Sequence, residues 1–527
     1  MAVPRPIRHP DGTPMRAYVE TYGCQMNISD GELMQGVLAA GGWELTDSPE
    51  QADVVLVNTC AIRDHAERRV LGRVGELNRL KQDRPGMVIG VTGCMAQRMG
   101  KTLLEQAPYV DLVMGPDGYR GLAGTLASLR PAATTDAAEG DPAGPDRQPD
   151  AAVDPVHGDE PRGRGQIAGM AMSHTPSGRR GRSLPVMGVA TQDGASAGLE
   201  FFEPGRAAVL QLTAAENYEG LEVRRSSRIS AWVPVQRGCN YRCTYCIVPY
   251  VRGDEKNRDP MRVLAEVRDV AASGITEVTL LGQTVNSWSH GDWSFPELLR
   301  QVARVDGIRR VRYTSPHPND LTPELIDVMA AEPAVCRQLH LPVQSGHDRT
   351  LKRMVRRYTV ESYLRKVERL RTAIPDLALS TDVIVAFPGE TDDEYEATLD
   401  LMREVRYDDA FLYRYSPRDG TPATRLPADQ FIADDVARAR LERLIDVQRA
   451  IQAEINAAEI GRVEEVLVER TAKSHGDMLG RTERYKVVAF PGDASLVNTY
   501  ITVRLTATTG ATFRGVRTES PAAVSVA

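Results

Sequence analysis

Arg237-Gly-Cys-Asn-Tyr-Arg-Cys-Thr-Tyr-Cys246 brings Cys239, Cys243 and Cys246 into ten residues with the spacing C-x3-C-x2-C. Three thiolates this close in sequence point to a metal centre, and two kinds compete. A cluster of four irons held by three thiolates leaves one iron without a protein ligand, and an open coordination position marks a catalytic rather than a structural centre. A structural zinc knuckle needs four ligands, normally as paired C-x2-C or C-x2-C and H-x3-H units. No second cysteine pair or suitably spaced histidine pair follows. The spacing favours the cluster and leaves zinc as its alternative.

Around this loop, residues 227–456 repeat a strand-then-helix pattern. Short apolar runs at 232–236, 277–281, 310–314, 338–343, 377–386 and 409–415 alternate with helical periodicity at 261–272, 296–305, 323–331, 360–373 and 392–404. Six such units predict a partial (β/α)6 barrel. Gln283, Asn286, Ser315, His317, Gln344, Ser345 and Asp382 fall at or just past the strand ends, on the rim where a barrel keeps its reactive groups.

Upstream, residues 15–130 also alternate strand and helix signals. Strands are predicted at 17–21, 53–58 and 87–92, with helices at 30–40 and 65–81 between them. Each strand ends at a cysteine, in Thr21-Tyr-Gly-Cys24, Asn58-Thr-Cys60 and Thr92-Gly-Cys94. The carboxyl ends of parallel strands share one rim, so Cys24, Cys60 and Cys94 are expected to converge as a second three-thiolate site. The bland alternative is three unrelated buried thiols.

Nine prolines and twelve glycines in residues 131–206 break all periodicity, as in a disordered, low-complexity insertion. Its basic run Arg179-Arg-Gly-Arg182 reads as part of a solvated linker, with RNA contact as the alternative. At the other end, a long helix over 434–458 precedes residues 457–520. Runs at 464–469, 486–490 and 499–504 predict strands of a small antiparallel β-barrel. Residues 460–517 hold nine Lys plus Arg against six Asp plus Glu, a local excess suited to RNA backbone or to an ordinary mixed surface.

The whole chain of 527 residues carries a formal charge of −7, which argues against indiscriminate coating of nucleic acid. Seven cysteines are an odd number, and the amino terminus has no signal-like or membrane-spanning apolar stretch. Reduced thiols in a cytoplasmic protein are expected, with no membrane partner.

The loop of Cys239, Cys243 and Cys246 resembles the signature of radical S-adenosylmethionine (SAM) enzymes. Thr21-Tyr-Gly-Cys-Gln-Met-Asn27, Asn58-Thr-Cys-Ala-Ile-Arg63, Thr92-Gly-Cys-Met-Ala-Gln97, Leu280-Leu-Gly-Gln283, His340-Leu-Pro-Val-Gln-Ser-Gly346, Ser380-Thr-Asp-Val-Ile-Val-Ala-Phe-Pro-Gly-Glu-Thr391 and Tyr415-Ser-Pro417 resemble those of the methylthiotransferases. The segment with Gly480-Arg-Thr482 resembles a TRAM domain, the RNA-binding module of that family. The resemblance implies two 4Fe-4S clusters, one on Cys239, Cys243 and Cys246 that cleaves SAM and one on Cys24, Cys60 and Cys94. It implies a tRNA substrate bearing dimethylallyladenosine beside the anticodon, methylthiolated at C2 with two SAM per turnover. A flavodoxin or ferredoxin type electron donor, a sulfur donor system and a monomer are further expectations. The Tyr-Gly-Cys-Gln-Met-Asn form sets this branch apart from those acting on threonylcarbamoyladenosine or a ribosomal-protein aspartate. A non-catalytic RNA-binding protein is the rival of another class.

The resemblance also makes Tyr245, Gln283, Ser315, Gln344 and Asp382 candidates for SAM contacts, and Arg252 and Arg258 candidates to face SAM or RNA. Cys336 fits no cluster motif and is expected to be a buried small hydrophobe. Three places depart from the family pattern: Glu255-Lys-Asn-Arg258, Gly282-Gln-Thr284, and Ala386 in place of a glycine.

Overall fold

The computed structural model describes residues 8–61, 64–129, 199–203, 205–473 and 476–518. The amino-terminal unit is a seven-stranded sheet. Its strand order is Glu44–Leu45, Arg16–Tyr22, Val54–Thr59, Val88–Gly93, Leu112–Met114, Arg206–Val209, Leu199–Glu203, parallel throughout except for the last pair. Val54–Thr59 and Val88–Gly93 are buried at every position, as expected of parallel strands covered on both faces. Alternation sends Val54 and Leu56 into one core with Leu33, Met34 and Leu38, and Val55 and Val57 into another with Val70, Val74 and Leu77. The chain order reverses between Arg16–Tyr22 and Val54–Thr59. In a doubly wound sheet the crevice at such a switch point, beyond the carboxyl ends of the strands, is where ligands bind.

Leu199–Glu203 and Arg206–Val209 correct the carboxyl limit of the low-complexity segment. Their short apolar runs disappear in an average over 76 residues, yet they extend the sheet next to Leu112–Met114. Residues 131–198, with Arg179–Arg182, lie outside the described residues.

The centre of the chain forms six parallel strands in two groups of three. Ser230–Pro234, Glu277–Leu281 and Arg310–Tyr313 make one, and Gln338–His340, Ala378–Val385 and Asp409–Arg414 the other. A parallel bridge between Val311 and Val335 joins the two groups, leaving the barrel open between its first and last strands. The run predicted at 338–343 is a strand only to His340, because Pro342 has no amide hydrogen for the ladder. Helices start where side chains cap them. Asp259 accepts from the Met261 and Arg262 amides before Pro260–Ala272, and Thr391 and Glu394 form a reciprocal box at the start of Asp392–Val405.

After the helix Asp434–Ala458 comes a closed barrel of five strands, Val463–Thr471, Asp477–Thr482, Val487–Pro491, Tyr500–Thr508 and Thr512–Arg517, antiparallel but for one parallel pair. Sequence reading found three of them and missed Asp477–Thr482 and Thr512–Arg517, where glycines interrupt the apolar pattern. Two buried arginines fasten this barrel to the central one. Arg310 donates to the carbonyls of Arg481 and Glu465, and Arg312 to those of Thr482 and Glu483.

Three non-glycine residues at the carboxyl ends of central strands hold positive φ: Ser315 at 59°, Gln344 at 71° and Ala386 at 56°. Left-handed backbone costs an L-residue about 1 kcal/mol, so the glycine usual in the family at 386 has a physical reason. Ala386→Gly is expected to raise the midpoint of the unfolding transition of this unit in calorimetry; a lowered midpoint would contradict the assignment of strain.

Candidate active site

Cys24, Cys60 and Cys94 follow three adjacent strands paired so that Tyr22 faces Thr59 and Thr59 faces Gly93. This register carries all three cysteines to one rim, and two of them to the switch point. Gly23 makes the approach possible: its φ is +143°, and a Cβ there would lie 2.6 Å from Cβ of Cys60. Cys24 is hydrogen-bonded to Cys60, which pulls its thiol down to about 6, with Arg252 assisting and burial opposing. The Cys24 thiol also donates to Asn27 Oδ1 at 3.2 Å. Cys94 is buried, which pushes its thiol up, while Arg252 Nε donates to its Sγ at 3.1 Å.

Cys239, Cys243 and Cys246 lie in the loop after Gln236–Arg237 at the carboxyl rim of the central barrel. Gly238 has a φ of +75°, and a Cβ there would stand 2.0 Å from the Asp254 carbonyl oxygen. The loop closes through Cys239 N to Gly253 O and Cys246 N to Cys243 O. Burial raises the thiol of Cys239 and carries that of Cys246 up to about 12. Thr284, at a departure from the family pattern, sets its hydroxyl 3.1 Å from Cys239 Sγ. Buried Arg356 donates to Cys243 Sγ at 3.5 Å and, among the described residues, has no carboxylate partner.

The two loops touch. Cys94 and Ala61 pack with Ile247 and Val251 in one apolar cluster, so the amino-terminal thiols adjoin the residues just after Cys246. Buried ion pairs cross the same seam. Arg252 Nη2 meets Asp30 Oδ2 at 2.6 Å, while Arg237 and Lys256 meet the two oxygens of Asp117 at 2.6 and 2.8 Å. Lys256 is thereby an interdomain strut. Arg252 and Arg258 do not face solvent: Arg258 is bound to Glu266 and the Pro234 carbonyl. Cys336 is buried, its thiol pushed up to about 12 by desolvation.

Beneath this rim a cavity of about 600 Å³ runs through the barrel. Gln25, next in sequence to Cys24, lines it with Ser315 and Asp382, as do Arg481, Arg484, Tyr485 and Lys486 of the carboxyl-terminal barrel. Asp382 Oδ2 lies 3.3 Å from His340 Nε2. Gln283 and Gln344 are not among its lining residues, but each has a buried Oε1 without a partner. Tyr245 packs against Met354, Phe387 and Ala423. Sequence reading missed the His317–Tyr241 stack, with ring centroids 3.7 Å apart and Tyr241 donating to Asp320. Burial, aided by Arg356, holds His317 neutral by lowering it to about 2.

Each triad offers three thiols with a buried cation beside it, Arg252 at Cys94 and Arg356 at Cys243, a donor set that fits an anionic iron–sulfur cluster.

An open six-stranded barrel with this cysteine loop at its rim defines a radical SAM enzyme, and the second thiol triad marks the methylthiotransferase class. Residues 16–115 match the Uncharacterized protein family UPF0004, 233–402 the Radical SAM superfamily and 457–516 the TRAM domain. The tRNA-2-methylthio-N(6)-dimethylallyladenosine synthase of Carboxydothermus hydrogenoformans is 37% identical over 495 residues, covering 93% of this chain and 96% of the relative. The protein of that name from Thermoanaerobacter sp. strain X514 is 38% identical over 504 residues, covering 94% and 92%. The chain belongs to this synthase family. In fold it is similar to the radical S-adenosylmethionine methyltransferase TsrM of Kitasatospora setae, with a TM-score of 0.50 at 15% identity over 79% of this chain and 78% of that one.

Because the Asp254 carbonyl leaves no room for a Cβ at residue 238, Gly238→Ala is expected to displace Cys239 and lower the bound iron. Iron and sulfide counting on anaerobically purified protein reads this directly; full iron content in the variant would contradict it.

Proposed function

We propose that this chain adds a methylthio group to C2 of N6-dimethylallyladenosine next to the anticodon of tRNA, using one thiol triad to cleave SAM and the other to deliver sulfur. The observation that carries this reading is the contact between the two cysteine-bearing loops: Cys94 packs on Ile247 and Val251, just after Cys246, and accepts a hydrogen bond from Arg252. When bound, 4Fe-4S clusters and SAM supply the reducing electron, the hydrogen-abstracting radical and the sulfur, chemistry suited to an adenine C–H bond that offers neither acidity nor a leaving group.

The chain's own residues do the holding. Cys239, Cys243 and Cys246 ligate one cluster at the rim, and Cys24, Cys60 and Cys94 the other. Gln283 and Gln344 aim unpartnered buried oxygens suited to the SAM amino group. Ser315 and Asp382 line the cavity where ribose or methionine atoms need partners. Tyr245 covers the loop from its apolar side. Gln25, next to Cys24 in the cavity wall, joins the sulfur-delivering side to the same space.

The TRAM barrel holds RNA backbone while the cavity receives the base, which leaves the loop at small cost because it is unpaired. Part of its basic excess serves structure instead: Lys486 pairs with Asp408 of the central unit, and Arg484 with Glu459 inside the module. A flavodoxin or ferredoxin type donor, a sulfur donor system, a monomeric state and a cytoplasmic location complete the reading. Among the described residues no helix is long and apolar enough to cross a membrane.

Cys243→Ala is expected to abolish 5′-deoxyadenosine formation while tRNA binding persists; continued SAM cleavage would contradict the ligand assignment. Cys60→Ala is expected to spare SAM cleavage and abolish the C2 methylthio product, read by mass spectrometry of tRNA nucleosides. Full product from that variant would sink the second-cluster role. Offering threonylcarbamoyladenosine tRNA or the ribosomal protein to the wild type tests the other branches.

A further inference from the structure

Arg252 belongs to the SAM-cleaving unit by sequence, six residues after Cys246, yet its hydrogen-bond partners among the described residues, Asp30 and Cys94, lie in the amino-terminal unit. Its side chain is 3% exposed. Nη2 donates to Asp30 Oδ2 at 2.6 Å and Nε to Cys94 Sγ at 3.1 Å, while Nη1 is buried without a partner among the described residues. A buried cationic donor lacking an acceptor is costly enough that an acceptor belongs at that corner. The fork is rigid, so once Asp30 holds one nitrogen the other two have fixed directions. One already points at a cluster ligand.

We propose that Arg252 is a positioning residue for the cluster on Cys24, Cys60 and Cys94, donating through Nε to the Cys94 thiolate and through Nη1 to a sulfur of the same cluster. This rests on the two-cluster reading above. Hydrogen bonds to cluster sulfurs stabilise the added negative charge of the reduced state and so raise the reduction potential. Through this one side chain, the loop that carries the SAM-cleaving triad sets the electronic state of the sulfur-delivering one. Arg356, donating to Cys243, stands in the corresponding place beside the other triad, but both ends of its contact lie in the same unit.

The test uses the full chain with Cys239, Cys243 and Cys246 replaced by Ala, so that only the amino-terminal cluster remains, reconstituted without oxygen and titrated against potential by electron paramagnetic resonance. Adding Arg252→Gln is expected to shift the midpoint to lower potential and change the signal's g-values. Arg252→Lys, which keeps the charge and loses the fork, is expected to recover the shift only in part. Unchanged midpoints in the Arg252 variants would overturn the proposal, as would loss of iron together with loss of helical circular dichroism, which would mark a strut only. If the parent without an Arg252 change binds no cluster, the two-cluster reading fails instead.

Discussion

Buried charge at one seam governs the arrangement of this molecule. Arg252 with Asp30, and Arg237 and Lys256 with Asp117, put three cations and two carboxylates where water does not reach. Removing one member of such a pair strands the other in low dielectric at about 3–5 kcal/mol. Each pair therefore fixes where the amino-terminal sheet sits on the central barrel. Arg237 immediately precedes Gly238 and Cys239, and Asp30 lies six residues beyond Cys24, so the docking contacts and the thiols are set by the same short segments. Movement at the seam would separate the two triads.

The rest of the fold adapts to that constraint. A switch point between Arg16–Tyr22 and Val54–Thr59 opens the crevice that the cysteines occupy, and the open side of the central barrel leaves a cavity beneath them. Strain gathers at the same rim, with Ser315, Gln344 and Ala386 in left-handed backbone. At the opposite end, Arg310 and Arg312 reach out of the barrel floor to the carbonyls of the TRAM barrel. One cavity thus extends from Gln25, the residue after Cys24, to the TRAM barrel.

Much of this was legible in the chain because the relevant signals are local. Val54-Val-Leu-Val-Asn-Thr59 and Val88-Ile-Gly-Val-Thr-Gly93 read as buried parallel strands, and a cysteine directly after each has only one rim on which to lie. The C-x3-C-x2-C loop carries its chemistry in ten residues. What stayed hidden depends on partners distant in sequence. Arg252 and Cys94 are 158 residues apart, so the sequence offered the arginine only as a candidate to face SAM or RNA. Lys256 carries no signal of its own in the sequence; its pairing with Asp117, 139 residues away, gives it a place. The strands Leu199–Glu203 and Arg206–Val209 were masked by the composition around them, and Pro342 ended a strand that its apolar neighbours seemed to continue.

The account stands on six thiols in two sets that open onto one chamber. Locating iron by anomalous X-ray scattering from crystals grown without oxygen tests this most directly. Two iron clusters, each held by three of the named cysteines and both exposed to the cavity lined by Gln25, Ser315 and Asp382, is the result expected. Iron at one triad alone, or two clusters walled off in separate pockets, would contradict it.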